Sequence, residues 1–175
     1  VWIHGKRKVF EKYWLDEGRN RLAIQEFILK SEPKSVFEFG MFVGRNLKYL
    51  SHLQLSGCDI NGKAIQFARS NLPGDFFTIS GLEQLNTLDV TYDTVVCVGV
   101  FYAINERELK KILYRLKKMG NELIIGCNFE KQYNRRFYKH DYEKIFYESN
   151  LVVAEIEEVP EKGPALTHLV RLKIK

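Results

Sequence analysis

Cysteine is scarce, with Cys58, Cys97 and Cys127 the three in 175 residues, each in or at the end of an apolar run. An odd count without C-x-x-C spacing excludes a disulfide framework and a thiolate zinc site, and predicts reduced, buried thiols in a cytoplasmic setting. Histidine is nearly as sparse: the four residues are scattered, so no metal site is expected. No apolar run approaches the roughly eighteen residues of a membrane span, and no signal-peptide layout opens the chain, so no membrane partner is expected. Charge of one sign is not concentrated either. The net charge of +5 and the pI near 9.0 are spread along presumed helices, which reads as solvated surface. The sequence opens at Val1 without Met, the expectation for a chain whose true N-terminus lies further upstream.

What is present suits one globular domain. Hydrophobic residues make up 45% and aromatics 13%, enough to bury a core, and residues 1–175 read as a single unit with an arm at 1–15 and a core at 16–175. The arm (VWIHGKRKVFEKYWL) mixes aromatics with Lys6, Arg7, Lys8 and Lys12. It reads either as a cover for a substrate or phosphate, or as a surface segment whose aromatics dock on the core.

The rest is organised around Ser35-Val-Phe-Glu-Phe-Gly-Met-Phe-Val-Gly-Arg-Asn46. A short apolar strand breaks at Gly40, a tight loop reaches Gly44, and Leu47, Leu50 and Leu53 suggest a helix from Gly44 to Leu53. Glycines at such a handover let backbone approach a ligand, and a helix N-terminus there would offer free N–H groups. A dinucleotide fingerprint fails, because Phe42 and Arg45 occupy its second and third glycine positions. Asp59 ends the next apolar run, about one βαβ unit after Glu38, where a carboxylate accepts hydrogen bonds from ribose hydroxyls. Gly40 alone is also explained by a turn that needs a positive φ; with Asp59 at this distance, a cofactor site is the better reading.

Helices are expected at Asp16–Lys30, Asn61–Asn71, Glu106–Met119 and His140–Asn150. Strands are expected at Phe76–Ile79, Tyr92–Val98 and Glu122–Cys127, and a closing hairpin at Leu151–Val159 and Leu166–Ile174. The loop Ser80–Glu83 either covers an adenine through Leu82 or merely connects. The basic, aromatic segment Asn128–Lys139 follows a strand's carboxyl end, and reads equally as a pocket wall and as an ordinary loop.

Glu38-x-Gly40-x-x-x-Gly44, Asp59 after the second strand, and Thr91–Asn105 with Gly99 at the fourth strand's end together resemble the class I S-adenosylmethionine-dependent methyltransferase family from about Asp16 onward. That resemblance implies an α/β Rossmann-like sheet of order 3-2-1-4-5-7-6, strand 7 antiparallel, with helices on both faces. Phe37–Leu47, Gly99-Val100 with Ile104-Asn105, and Phe137–Tyr142 are most similar to small methyltransferases of nonulosonic (pseudaminic) acid and other sugar pathways. The sequence departs from the family where Phe42 replaces a second glycine, and from this subfamily where Ala103 replaces a histidine.

The resemblance also assigns roles. Glu38, Gly40, Phe42 and Gly44 would shape the methionine pocket of S-adenosyl-L-methionine, with Gly99 also beside the cofactor. Asp59 would hold the ribose, and Ile60 and Leu82 the adenine. Tyr102, Tyr138 and His140 would face a small-molecule methyl acceptor, His140 being the candidate base for a hydroxyl and otherwise a capping residue. A monomer or homodimer is expected. The rival reading is a catalytically silent domain of this fold that binds RNA or a protein through Lys6–Lys12 and Asn134–His140.

Overall fold

The computed structural model describes residues 7–16, 18–129, 138–163 and 166–174. In chain order the elements are α1 (Arg7–Leu15), α2 (Arg19–Leu29), β1 (Ser35–Phe39), β2 (Gln54–Asp59), α3 (Gly62–Asn71), β3 (Asp75–Thr78) and α4 (Leu82–Asn86). They continue with β4 (Tyr92–Val98), a 3₁₀ turn (Phe101–Ala103), α5 (Glu106–Leu116), β5 (Gly120–Cys127), α6 (Tyr142–Glu148), β6 (Leu151–Gly163) and β7 (Leu166–Ile174). One seven-stranded sheet runs β3-β2-β1-β4-β5-β7-β6. The first five strands are parallel, while β7 lies antiparallel between β5 and β6. This is the topology that the motifs imply.

Both sheet faces are covered, as continuous apolar strands require. Successive residues point to opposite faces: Val36, Val96 and Ile124 pack under α2 and α3, whereas Phe37, Val95, Leu123 and Ile125 pack under α5 and α6. Helix α5 buries Leu109, Ile112, Leu113 and Leu116 on one stripe. Its start is fixed by Asn105, whose side chain accepts from the Glu108 N–H at 3.0 Å. Asn61 and Asp141 cap α3 and α6 in the same way.

Two expectations change, and the arm takes one of its two readings. No α-helix follows Gly44: residues 42–53 form successive three-residue turns, with Leu47 N–H donating to Gly44 O, Leu50 to Leu47 and Leu53 to Leu50 at 2.9–3.0 Å. Gly44 has φ +78, a left-handed value that an α-helix cannot hold, and the strict three-residue spacing of the leucines matches a 3₁₀-like winding. Within 1–15, residues 7–15 form α1, whose Phe10 is 4% exposed; this is the docked form of the arm. The presumed loop after β3 contains α4, held by the Arg115 guanidinium, which donates to the Leu85 and Leu88 carbonyls. Residues 1–6, 130–137 and 164–165, with the readings placed on Lys6, Arg135 and Arg136, lie outside the described residues.

Candidate active site

The carboxyl ends of β1, β2 and β4 open onto one cavity of about 720 Å³. Open parallel sheets bind ligands at this place, and the volume falls within the 300 to 1,000 Å³ or so that small-molecule sites occupy. Of the residues assigned from sequence, Gly40, Phe42, Asp59, Ile60, Leu82, Gly99 and Tyr102 line it.

The turn after β1 is pinned by its neighbour strand. The Gly40 and Met41 N–H groups both donate to the Cys58 carbonyl, at 2.8 and 3.0 Å. Phe42 N–H donates to Asp59 Oδ2 at 2.8 Å, and Asn61 N–H to Asp59 Oδ1 at the same distance. The turn therefore offers a ligand its shape rather than a row of free N–H donors, and no helix N-terminus stands behind it. A Cβ on Gly40 would lie 2.2 Å from Val100 Cγ2, whereas one on Gly99 would meet nothing within 4 Å. Gly40 is thus required by packing and by its φ of +75, while Gly99 faces open cavity.

Asp59 is part-buried, and burial pushes its carboxyl up while the backbone N–H groups of Asn61, Phe42 and Ile60 oppose that. Glu38 lies beneath the turn, 1% exposed, behind the cavity wall. Its Oε1 accepts from Asn46 Nδ2 at 2.5 Å, and Asn46 Oδ1 in turn accepts from Arg21. Oε2 has no partner. Burial pushes the Glu38 carboxyl up to about 7, against the Asn46 hydrogen bond and the Arg21 and Arg45 charges. Arg21 is itself lowered to about 10, by burial and then by Arg45. Arg21 and Asn46 line the cavity, and motif reading missed both. A polar i, i+4 pair on α2 was the available signal: Arg21 and Gln25 both reach Asn46.

Tyr102 stands on the opposite wall, and burial pushes its phenol up, so at neutral pH it is an O–H donor. His140 and Tyr138 are not among the described residues that line the cavity. His140 is 7% exposed behind the 3₁₀ turn, with Nε2 donating to the Phe101 carbonyl at 3.0 Å. Tyr138 N–H donates to the Tyr102 carbonyl at 2.8 Å. Segment 138–140 therefore clamps the turn that carries Tyr102. The helix cap expected near His140 is Asp141. Replacing His140 with Ala should cost about 1–3 kcal/mol through the orphaned carbonyl and lost packing. Urea denaturation measures this, and His140→Gln, which can reach the same carbonyl, should recover part of it.

Residues 37–125, just over half of the chain, match the family model described as a methyltransferase domain. The chain belongs to that family. Among curated proteins it is 30% identical over 121 residues to a tRNA U34 carboxymethyltransferase of Campylobacter fetus, covering 68% of this chain and 37% of that one. It is 28% identical over 123 residues to a probable tRNA methyltransferase 9B of Mus musculus, covering 67% and 27%. The chain thus spans between about a quarter and just over a third of these relatives. Among solved structures, a magnesium protoporphyrin IX methyltransferase from Synechocystis with bound S-adenosylhomocysteine superposes with a TM-score of 0.74 at 16% identity, over 96% and 94% of the two chains. A 1,6-didemethyltoxoflavin-N1-methyltransferase from Burkholderia thailandensis gives 0.71 at 15% identity, over 94% and 82%. These two likenesses concern the methyltransferase fold.

Proposed function

We propose that this methyltransferase domain binds S-adenosyl-L-methionine in the cavity and transfers its methyl group to a small molecule, of the kind met in sugar or nonulosonic-acid pathways. One arrangement carries the reading: Asp59, half-open Gly99 and the unpaired Glu38 Oε2 surround one turn at the carboxyl edge of the sheet. Asp59 keeps acceptor capacity for ribose hydroxyls beyond the backbone N–H groups that it already meets. Exposed Ile60 and half-buried Leu82 would flank an adenine, while Gly40 and Phe42 would shape the methionine end; Gly44, also assigned there from sequence, is buried outside the lining and faces Leu72 and Met41. Glu38, behind the wall, would favour a ligand ammonium by its charge rather than by contact, and the Arg21–Asn46 pair, which lines the cavity, suits the adjoining carboxylate.

When bound, the cofactor supplies an electrophilic methyl group on a sulfonium whose departure leaves a neutral thioether. The chain's own contribution is then mainly to hold the acceptor in line, with Tyr102 donating a hydrogen bond from the wall. His140 acts behind that wall as a positioning residue, because its proton-bearing Nε2 is committed to Phe101 O.

Calorimetric titration with S-adenosylhomocysteine tests the reading. Micromolar binding at one site is expected, and no heat at millimolar ligand would sink it. The similarity to a tRNA U34 carboxymethyltransferase and a probable tRNA methyltransferase 9B favours a second acceptor class, RNA. Salt-sensitive retention of the cofactor-loaded protein on immobilised tRNA would support that alternative.

A further inference from the structure

We propose that Phe42 is the latch that holds α1 against the cavity, so that binding at the turn and assembly of the acceptor wall are one event; the coupling half rests on the cofactor reading above. Phe42 has φ +52, a left-handed backbone that is strained for a bulky residue and natural for glycine. Its N–H is fixed on Asp59, at the heart of the proposed ribose site. The ring packs edge-on against Phe10 at 5.6 Å and Tyr13 at 5.4 Å, both on α1. Phe10 and Trp14 extend the cluster to Phe67 of α3 at 6.1 and 6.0 Å.

A second tether comes from the same turn. Arg45 pairs with Asp16 at 2.6 Å and lies over the Tyr13 ring at 5.1 Å. Helix α1 is therefore held by the turn and by α3, with Trp14 also packing on the core beneath α2. Tyr13 lines the cavity and Phe10 does not. Tyr102 lines the same cavity, so docked α1 and the 3₁₀ turn both furnish its lining. A ligand that orders the Asp59–Phe42 turn thereby orders α1, and reciprocity requires that docked α1 tighten that ligand.

Full-length wild type, Phe10→Leu, Phe42→Leu, the double variant and Phe42→Tyr are compared by tryptic cleavage after exposed Lys12 and by S-adenosylhomocysteine affinity. Without ligand, each single leucine variant should be cleaved at least about fivefold faster than wild type, because local opening sets the rate. Each should also bind the ligand several-fold more weakly. The double variant should be no worse than the weaker single, within about twofold, because both break one latch. Phe42→Tyr should restore both readouts, and ligand should slow wild-type cleavage. Unchanged cleavage in the leucine variants overturns the latch, whether or not the ligand binds. Unchanged affinity in Phe10→Leu, or multiplying effects in the double variant, overturns the coupling. Wild type that takes up no ligand overturns the cofactor reading and the coupling together, while cleavage of the free proteins still decides the latch.

Discussion

Asp59→Ala should lower affinity for S-adenosylhomocysteine by at least about 100-fold, close to 3 kcal/mol. Two losses combine. The proposed ribose acceptor disappears, and so do the anchors of two backbone N–H groups, of which Phe42 N–H holds a left-handed residue in place. Leaving those donors unpaired costs about 1–3 kcal/mol of stability, which urea denaturation of the unliganded variant measures separately. Asp59→Asn keeps one oxygen and should fall between. Affinity within threefold of wild type for the alanine variant would remove Asp59 from the site.

That two-part dependence explains what could be read in advance. Asp59 was visible because a parallel crossover of this length fixes where the second strand ends relative to the first, although here it winds as three-residue turns instead of an α-helix, and continuous β-branched runs such as Tyr92–Val98 mark doubly covered strands. The turn's interior was harder. Leucines at 47, 50 and 53 fit the i, i+3 half of a helical pattern, and only the missing i+4 member, with glycine at 44, distinguishes three-residue turns from α-helix. Residues 7–15 do carry a helical spacing at Phe10, Tyr13 and Trp14, but the surfaces that α1 packs on, Phe42 and Phe67, are distant in sequence and leave no local sign of where it docks. Arg21 belongs to no motif, because its value comes from Asn46 and Glu38 on another element. His140 lies near the right wall but behind it, a difference of depth that spacing along a chain does not encode.

Glu38 should make the unliganded protein less stable as pH rises. Its folded pKa of about 7 exceeds the ordinary value of 4.5 because burial disfavours the carboxylate. Below pH 4.5 the group is protonated in both states and carries no penalty. Between pH 4.5 and 7 the folded state retains a proton that the unfolded state releases. Stability therefore declines across that window, by about 3 kcal/mol in total, at about 1.4 kcal/mol per pH unit. Above it, the penalty is constant. Glu38→Gln should flatten this slope in urea or thermal melts. The buried amide places an N–H where Oε2 had no partner, at a cost of about 1–3 kcal/mol, so the slope rather than the intercept is the test. Binding should show the opposite sign: a ligand ammonium on the cavity side of the wall favours the carboxylate, so affinity should rise with pH towards 7 and release a proton, readable as buffer-dependent heat. Glu38→Gln should abolish that proton release. If wild type keeps a flat stability profile from pH 4.5 to 7, the carboxylate is already ionised beneath the turn, its raised pKa is wrong, and ligand binding should release no proton from it.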